Sequence, residues 1–425
     1  MIRLLDLADP AQRAQAAGLR ATAAMPPEVA PAVTRLIAEV RARGDAAVRD
    51  LTRRFDGPDL ADPFLPGSEW DALDDRCPAP VRAALEKAAQ RVRAFHAPQV
   101  PESYEQRLPD GGLLRCLVVP LARAACYVPG GRAVYPSTVI MTAAVARLAG
   151  VPDVVVATPP RPDGSVAPEV AAAARIAGAT RILRAGGAQA IAALALGTGA
   201  IPRCDVIVGP GNAYVTEAKR QLVGEVRIDS LAGPTEVAIV ADASADARLV
   251  AADLIAQAEH DPLALALLIT PDRTLAHAVL AALEAELRDR PNRIAAESLR
   301  ARGAAVVARS LDEALAFADD LAPEHLELLV REPAAALPRV RRAAAVFVGP
   351  HSPVPVGDYL AGPNHTLPTS GTARFASPLS ASDFVRRQNV IEYGARQLAA
   401  DAADVRALAE AEGLHAHGRA IEVRK

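Results

Sequence analysis

Apolar residues along this chain change rhythm twice. Up to about Gln106 they recur at helical spacing: Val33, Ile37 and Val40 fall on one face, and PAPVRAALEKAAQRVRAFH is a second amphipathic run of good helix formers. A helical arm and layer is predicted over residues 1–110. From Leu113 to about Val348 short apolar runs take over: DVVVAT, RILR, CDVIVG, EVAIVAD, LALALLIT, AAVVAR and AAVFVG, alternating with alanine-rich helical stretches. That alternation marks a parallel sheet covered by helices. It falls into two blocks. The expected fold is α/β, with two Rossmann-like parallel-sheet domains at 111–235 and 236–380 plus helical N-terminal and C-terminal segments, the latter at 381–425. Between Gly349 and about Pro378 the chain is rich in Pro, Gly, Ser and Thr, too long for an idle connector, so it is expected to serve a site. A final helix is expected from Ser382 to about Glu412.

Composition narrows the class. At 425 residues the chain is long enough for two or three packed units. With 51% apolar residues, 23% charged residues and a formal net charge of -3, it has no basic field for nucleic acid or an anionic membrane. Cys77, Cys116, Cys126 and Cys204 show no C-x-x-C spacing, so no thiolate metal site or disulfide framework is suggested. The opening MIRLLDLADPAQR lacks the apolar core of a signal peptide, and a cytoplasmic protein with reduced thiols is expected. The longest uncharged run, Ala185 to Pro202, is interrupted by Gly186, Gly187, Gly197 and Gly199, which predicts a buried glycine-bounded helix and not a membrane span.

Three glycine-rich turns sit at the ends of apolar runs: YVPGGR at 127–132, AGGAQA at 185–190 and VGPGNAYVTEAKRQ after Val208. Glycine lets backbone N–H groups approach a phosphate, and a following helix N-terminus favours negative charge. The dinucleotide fingerprint G-x-G-x-x-G is absent, because Tyr214 stands at its third glycine. Any one such turn can simply be a tight turn; three together favour a ligand crevice.

The polar residues suggest chemistry. In AADLIAQAEHDP, Gln257 and His260 are three apart on a predicted helix and share a face, a plausible half of a metal site, although a lone Q-x-x-H is more often a capped or surface histidine. VGDYLAGPNHTLPT offers Asp358 and His365, and AEGLHAHGRA offers Glu412, His415 and His417. Glu324 and His325 are adjacent in DDLAPEHLELLV, either a proton-handling pair or the polar start of a buried segment. Five of the eight histidines lie in these four stretches, which raises the odds of a functional site.

Taken in order, YVPGG, GGAQAIAALA, VGPGNAYVTEAKRQ, AGPTEV, AQAEHDP, APEHLE, GDYLAGPNHTLPT and EGLHAHGRA resemble the successive motifs of the histidinol dehydrogenase family, from about residue 30 to the end of the chain. The resemblance implies an enzyme with one zinc ion per subunit that oxidises L-histidinol through L-histidinaldehyde to L-histidine, reducing NAD twice, in histidine biosynthesis. It assigns zinc to Gln257, His260, Asp358 and His417, and contacts to NAD to Tyr127, Gln189 and Asn212. It assigns the substrate to Thr235, His325 and Glu412 together with the zinc ligands, Thr235 standing where many members have serine. It further implies a homodimer whose C-terminal segment completes the partner's site.

Within that assignment the adjacent pair acquires roles. Alcohol oxidation needs a base near neutrality, which an imidazole supplies, and aldehyde oxidation needs a proton taken from water, which a carboxylate can do. His325 and Glu324 fit these two tasks. A related zinc- and NAD-dependent dehydrogenase of another polar alcohol is the alternative; Glu412 argues for an amino alcohol, since its carboxylate can meet an ammonium group. A non-catalytic two-lobed binding protein would need no acid–base pair.

Overall fold

The computed structural model describes residues 2–19, 26–130 and 134–424. Among them run fourteen strands: β1 (Arg3–Asp6), β2 (Tyr104–Arg107), β3 (Leu113–Pro120), β4 (Arg123–Tyr127), β5 (Asp153–Thr158), β6 (Arg181–Arg184), β7 (Val206–Val208), β8 (Arg227–Ile228), β9 (Glu236–Ala241), β10 (Leu265–Thr270), β11 (Ala304–Val307), β12 (His325–Leu329), β13 (Ala345–Val348) and β14 (Val385–Glu392). Each of the seven apolar runs is a strand, and all seven lie in two parallel sheets. One is five-stranded, in the order β6-β5-β4-β7-β8; the other is six-stranded, in the order β1-β11-β10-β9-β12-β13.

Both faces of each sheet are buried, which is why their strands read as continuous apolar runs. The N-terminal helices cover the five-stranded sheet. Helix Val29–Arg43 buries Val29, Val33, Ile37 and Val40 beneath one face, and helix Ala79–His96 buries Leu85, Ala88, Ala89 and Val92 beneath the other. The uncharged run forms the buried helix Gly187–Leu196, bounded by Gly186 and Gly197. Among the described residues no helix is long and apolar enough to cross a membrane.

Three strands, β1, β2 and β14, lie inside the segments expected to be helical, and β2 pairs antiparallel with β3. β1 pairs with β11 at the edge of the six-stranded sheet, so the chain's first residues complete the second block. The segment from Ser382, expected as helix, opens in the 3-10 turn Ala381–Phe384 and continues as β14, whose eight residues pair antiparallel with β3 before helix Ala395–Ala411 begins. Most of β14 is exposed, so it carries little apolar alternation to be read, and backbone pairing with β3 decides its conformation.

In the five-stranded sheet the chain runs from β4 outward to β6, then returns to β7 on the other side of β4. Such a switch point opens a crevice at the strands' C-terminal ends. Tyr127 ends β4 and Gly209 follows β7, in contact across that crevice: a Cβ on Gly209 would lie 2.1 Å from the Tyr127 carbonyl oxygen, and its φ is +112°. Behind the turn, the buried Lys219 ammonium donates to the Gly209 carbonyl (2.5 Å) and to Asp229 (2.7 Å), while the Gly209 N–H donates to Asp229 (2.7 Å). Glycine is therefore required twice over, by φ and by space. Gly209→Ala is expected to lower stability by more than the ~1–3 kcal/mol of an unfavourable backbone conformation alone. Gly224→Ala, at φ +98° in open space, should show only that conformational part. Urea denaturation of the two variants makes the comparison, and equal losses would contradict it.

Candidate active site

A second polar cluster forms at the opposite kind of edge, the N-terminal ends of β9 and β12. Thr235 and Glu236 enter β9, and Glu324 and His325 enter β12 beside it, paired in register through His325 and Val237. Glu324 is 7% exposed and His325 4%. The Thr235 hydroxyl donates to Glu324 Oε2 at 2.6 Å, and the Glu236 N–H donates to the same oxygen at 2.9 Å. Burial raises the pKa of the Glu324 carboxyl, while His325, Thr235 and the Glu236 N–H pull it back. Glu324 is thus a carboxylate held ready to accept a proton.

His325 has a fixed orientation. Its Nδ1 lies 3.0 Å from the Glu236 carbonyl, which can only accept, so Nδ1 carries the hydrogen and Nε2 presents its lone pair. The ring also leans on Phe347, with centroids 5.9 Å apart.

Helix Ala247–Ala258 ends at the same edge. Because the Thr235 hydrogen is committed to Glu324, its oxygen accepts from Gln257 Nε2 at 2.6 Å. The amide is thereby oriented, and Gln257 Oε1 is left buried without a hydrogen-bond partner. An orphaned amide oxygen of this kind fits a metal ligand, since burial without a partner is otherwise costly. One turn on, His260 directs Nδ1 at the Ala256 carbonyl (3.0 Å), which leaves its Nε2 free. Asp358 stands on helix Val354–Tyr359, pressed so closely against β13 that a Cβ on Gly357 would lie 2.6 Å from Phe347. His365 is half-buried 3.8 Å from Asp358, and desolvation lowers its pKa against the pull of that carboxylate. His260 and His325 both act on His365, and Asp358 acts on Glu324, so these side chains share one electrostatic neighbourhood. An amide oxygen, an imidazole nitrogen and a carboxylate suit zinc.

The structure brings Thr235, Gln257, His260, Glu324, His325 and Asp358 together, and leaves Glu412 and His417 apart. Both are exposed on the tail, Glu412 closing helix Ala395–Ala411 and His417 on helix His415–Glu422. Among the described residues no three His, Cys, Asp or Glu side chains gather closely enough to hold a metal ion, so His417 does not join His260 and Asp358 within one chain. The tail helices pack on each other, with Arg406 and Glu422 3.6 Å apart.

Tyr127, Gln189 and Asn212 meet in one cavity of about 1060 Å³ at the switch point. Glu324 and His325 do not line it. The Tyr127 hydroxyl, held protonated by burial that pushes its pKa to about 12, accepts from the Gly187 N–H at 3.0 Å. Asn212 caps helix Ala213–Leu222, its side-chain oxygen taking the Tyr214 and Val215 N–H groups, so its amide nitrogen remains for a ligand. Arg35, Arg54 and Arg161 line the cavity as well and suit an anionic ligand. Gly131 and Arg132 of the first glycine turn lie outside the described residues. Sequence reasoning missed Asp56, whose carboxylate accepts from the Gly186 N–H at 3.3 Å and from Gln189 at 3.4 Å, because it comes from the N-terminal helical layer. It also passed over Glu236, although that residue adjoins Thr235.

The histidinol dehydrogenase family model matches residues 20–425. The chain belongs to the histidinol dehydrogenase family. It is 50% identical over 396 residues to histidinol dehydrogenase of Synechococcus sp., covering 92% of this chain and 91% of that one. To histidinol dehydrogenase of Syntrophotalea carbinolica it is 45% identical over 428 residues, covering 100% and 99%. The crystal structure of histidinol dehydrogenase from Elizabethkingia anophelis superposes with a TM-score of 0.87 at 33% identity, over 93% of this chain and 91% of that chain.

Glu236, beside Thr235, makes the stability of the chain depend on pH. Burial, reinforced by the Glu324 charge, raises the Glu236 carboxyl from its ordinary 4.5 to about 7. Between those values the unfolded chain has released a proton that the folded chain keeps, so stability falls as pH rises, by about 3 kcal/mol across the window. Glu236→Gln should flatten the decline of ΔG between pH 4.5 and 7. Denaturation at several pH values checks it, and an unchanged slope would show that Glu236 ionises normally.

Proposed function

We propose that this protein is a zinc-dependent, NAD-linked histidinol dehydrogenase. It oxidises L-histidinol by way of L-histidinaldehyde to L-histidine, a four-electron change in histidine biosynthesis. The observation that carries the reading is the chain of hydrogen bonds from Gln257 through Thr235 to Glu324, which leaves one buried amide oxygen free beside a buried acid–base pair. In this reading the unit 111–235 takes the dinucleotide at Tyr127, Gln189 and Asn212, and the unit 236–380 takes the metal. Gln257, His260 and Asp358, with His417, would hold zinc. When bound, zinc orients the imidazole and amino nitrogens of the substrate, and NAD accepts hydride.

This chain's own residues handle the protons. His325 Nε2 takes the hydroxyl proton as the alcohol is oxidised. Glu324 takes a proton from the water that adds to the aldehyde, and its buried, partly compensated charge makes it a stronger base than an exposed carboxylate. Thr235 and Gln257 orient Glu324 and the substrate. Glu324→Gln should spare the first hydride transfer and slow aldehyde oxidation, whereas His325→Asn should slow both, by roughly the 10²–10⁴ of a general base. Single-turnover NADH formation from L-histidinol and from the aldehyde tests this. No NADH from histidinol with the unaltered protein would refute the function itself.

We also infer a homodimer in which Glu412 and His417 serve the partner's site. Leu408, Leu414 and Val423 on the tail are exposed, as is Ile391 of β14, which supports a covering subunit. In a mixed dimer of His325→Asn and His417→Ala chains, trans assembly collects both lesions in one site and leaves the other intact. About half the unaltered activity per dimer should reappear; isolated mixed dimers as inactive as their parents would refute sharing.

A further inference from the structure

Two carboxyl groups, Glu327 buried and Asp253 half-buried, take no part in the chemistry above, yet each lies next to a group that does. Asp253 is one turn before Gln257 on helix Ala247–Ala258 and shares its face. Glu327 comes two residues after His325 on β12, so it points to the same side of the sheet. That side is covered by the Gln257 helix and by Val354, because Leu329, Val250, Ala251, Leu254 and Val354 form one apolar cluster. Glu327 Oε1 accepts from the Val354 N–H at 3.0 Å. Val354 is the first residue of the short helix that places Asp358 one turn later.

The other oxygen, Glu327 Oε2, is buried and no N–H or hydroxyl reaches it. Its neighbour is the Asp253 carboxyl, to which Glu327 is hydrogen-bonded. Two carboxyl groups can form that bond only if one carries a proton. Burial raises both carboxyls above the ordinary range, Glu327 the further because the Asp253 charge lies beside it, so the pair holds on to a proton that exposed carboxyls would release. A pair of leucines could fill such a place at no loss of stability. An ionisable pair kept there fits a role in register better than a role in packing.

We propose that Asp253 and Glu327 are positioning residues, whose shared-proton hydrogen bond, continued to the Val354 N–H, fixes the Gln257–His260 helix, the Asp358 helix and the His325 strand in the register that the metal requires. The inference rests on the zinc reading above. Supporting partners behind metal ligands orient them, and their loss typically weakens metal binding about 10- to 100-fold.

The test is zinc affinity of the full chain, measured by competition with a chelating indicator and with zinc ion alone as probe. Glu327→Leu should bind zinc about 10- to 100-fold more weakly, and because it leaves Asp253 and the Val354 N–H without their partner it should also lower thermal stability, which Glu327→Gln should not. Glu327→Gln and Asp253→Asn should bind within about threefold of the unaltered protein, since each amide keeps the hydrogen bond and a single negative charge with no proton to share. Should Glu327→Leu not fold, Val354→Pro removes the N–H that donates to Glu327 and exchanges the buried Val354 side chain for a ring of similar size. Proline is tolerated at a first helical position, and Pro353, at φ -72° and ψ 156°, already has the backbone that precedes proline. That variant should lose about tenfold in affinity. Unweakened binding in a folded Glu327→Leu or Val354→Pro chain overturns the positioning role alone, as does a Glu327→Gln chain no better than Glu327→Leu. An unaltered chain that takes up no zinc overturns the metal reading and this inference with it.

Discussion

The arrangement of the candidate site hangs on one hydroxyl group. Thr235 can donate only once, and it donates to Glu324; its oxygen must therefore be served by Gln257. This settles which way the Gln257 amide faces, which oxygen is left unpartnered, and how the helix and the two strands stand to one another. A hydroxyl is the smallest group that can both give and receive at that point. Valine, of nearly the same shape, would leave Glu324 one donor short and free the amide to turn over.

The two candidate sites lie at opposite kinds of sheet edge. The five-stranded sheet uses the C-terminal ends of its strands at the β4–β7 switch point, where glycine opens the backbone. The six-stranded sheet uses the N-terminal ends of β9 and β12, where the covering helix reaches its C-terminus. That is why Gln257 and His260 come at the end of their helix, and why Glu324 and His325 stand at the start of a strand. The pair at 324–325 is therefore the polar opening of a buried strand, and in the proposed reading its two side chains handle protons as well.

Much of this was legible in the sequence, for identifiable reasons. Strands buried on both faces leave unbroken apolar runs, so β5, β6, β7, β9, β10, β11 and β13 stood out. β1 and β14 did not, because each is held by pairing with a strand distant in the chain, Arg3 with Ala304 and Val385 with Pro120. Gln257 and His260 could be paired by helical spacing alone. The closeness of His365 to Asp358, and of Asp253 to Glu327, depends on how loops and sheets fold back, for which no local period exists.

The placement of β1 bears on how the chain is made. Arg3–Asp6 is synthesised about 300 residues ahead of Ala304–Val307, its one ladder partner among the described residues. At about 5–20 residues per second that is a wait of about 15–60 s. The five-stranded sheet, built from residues between those two points, can close in the meantime. β1 can then pair only once β11 has emerged, and an edge position lets it do so without parting strands already joined.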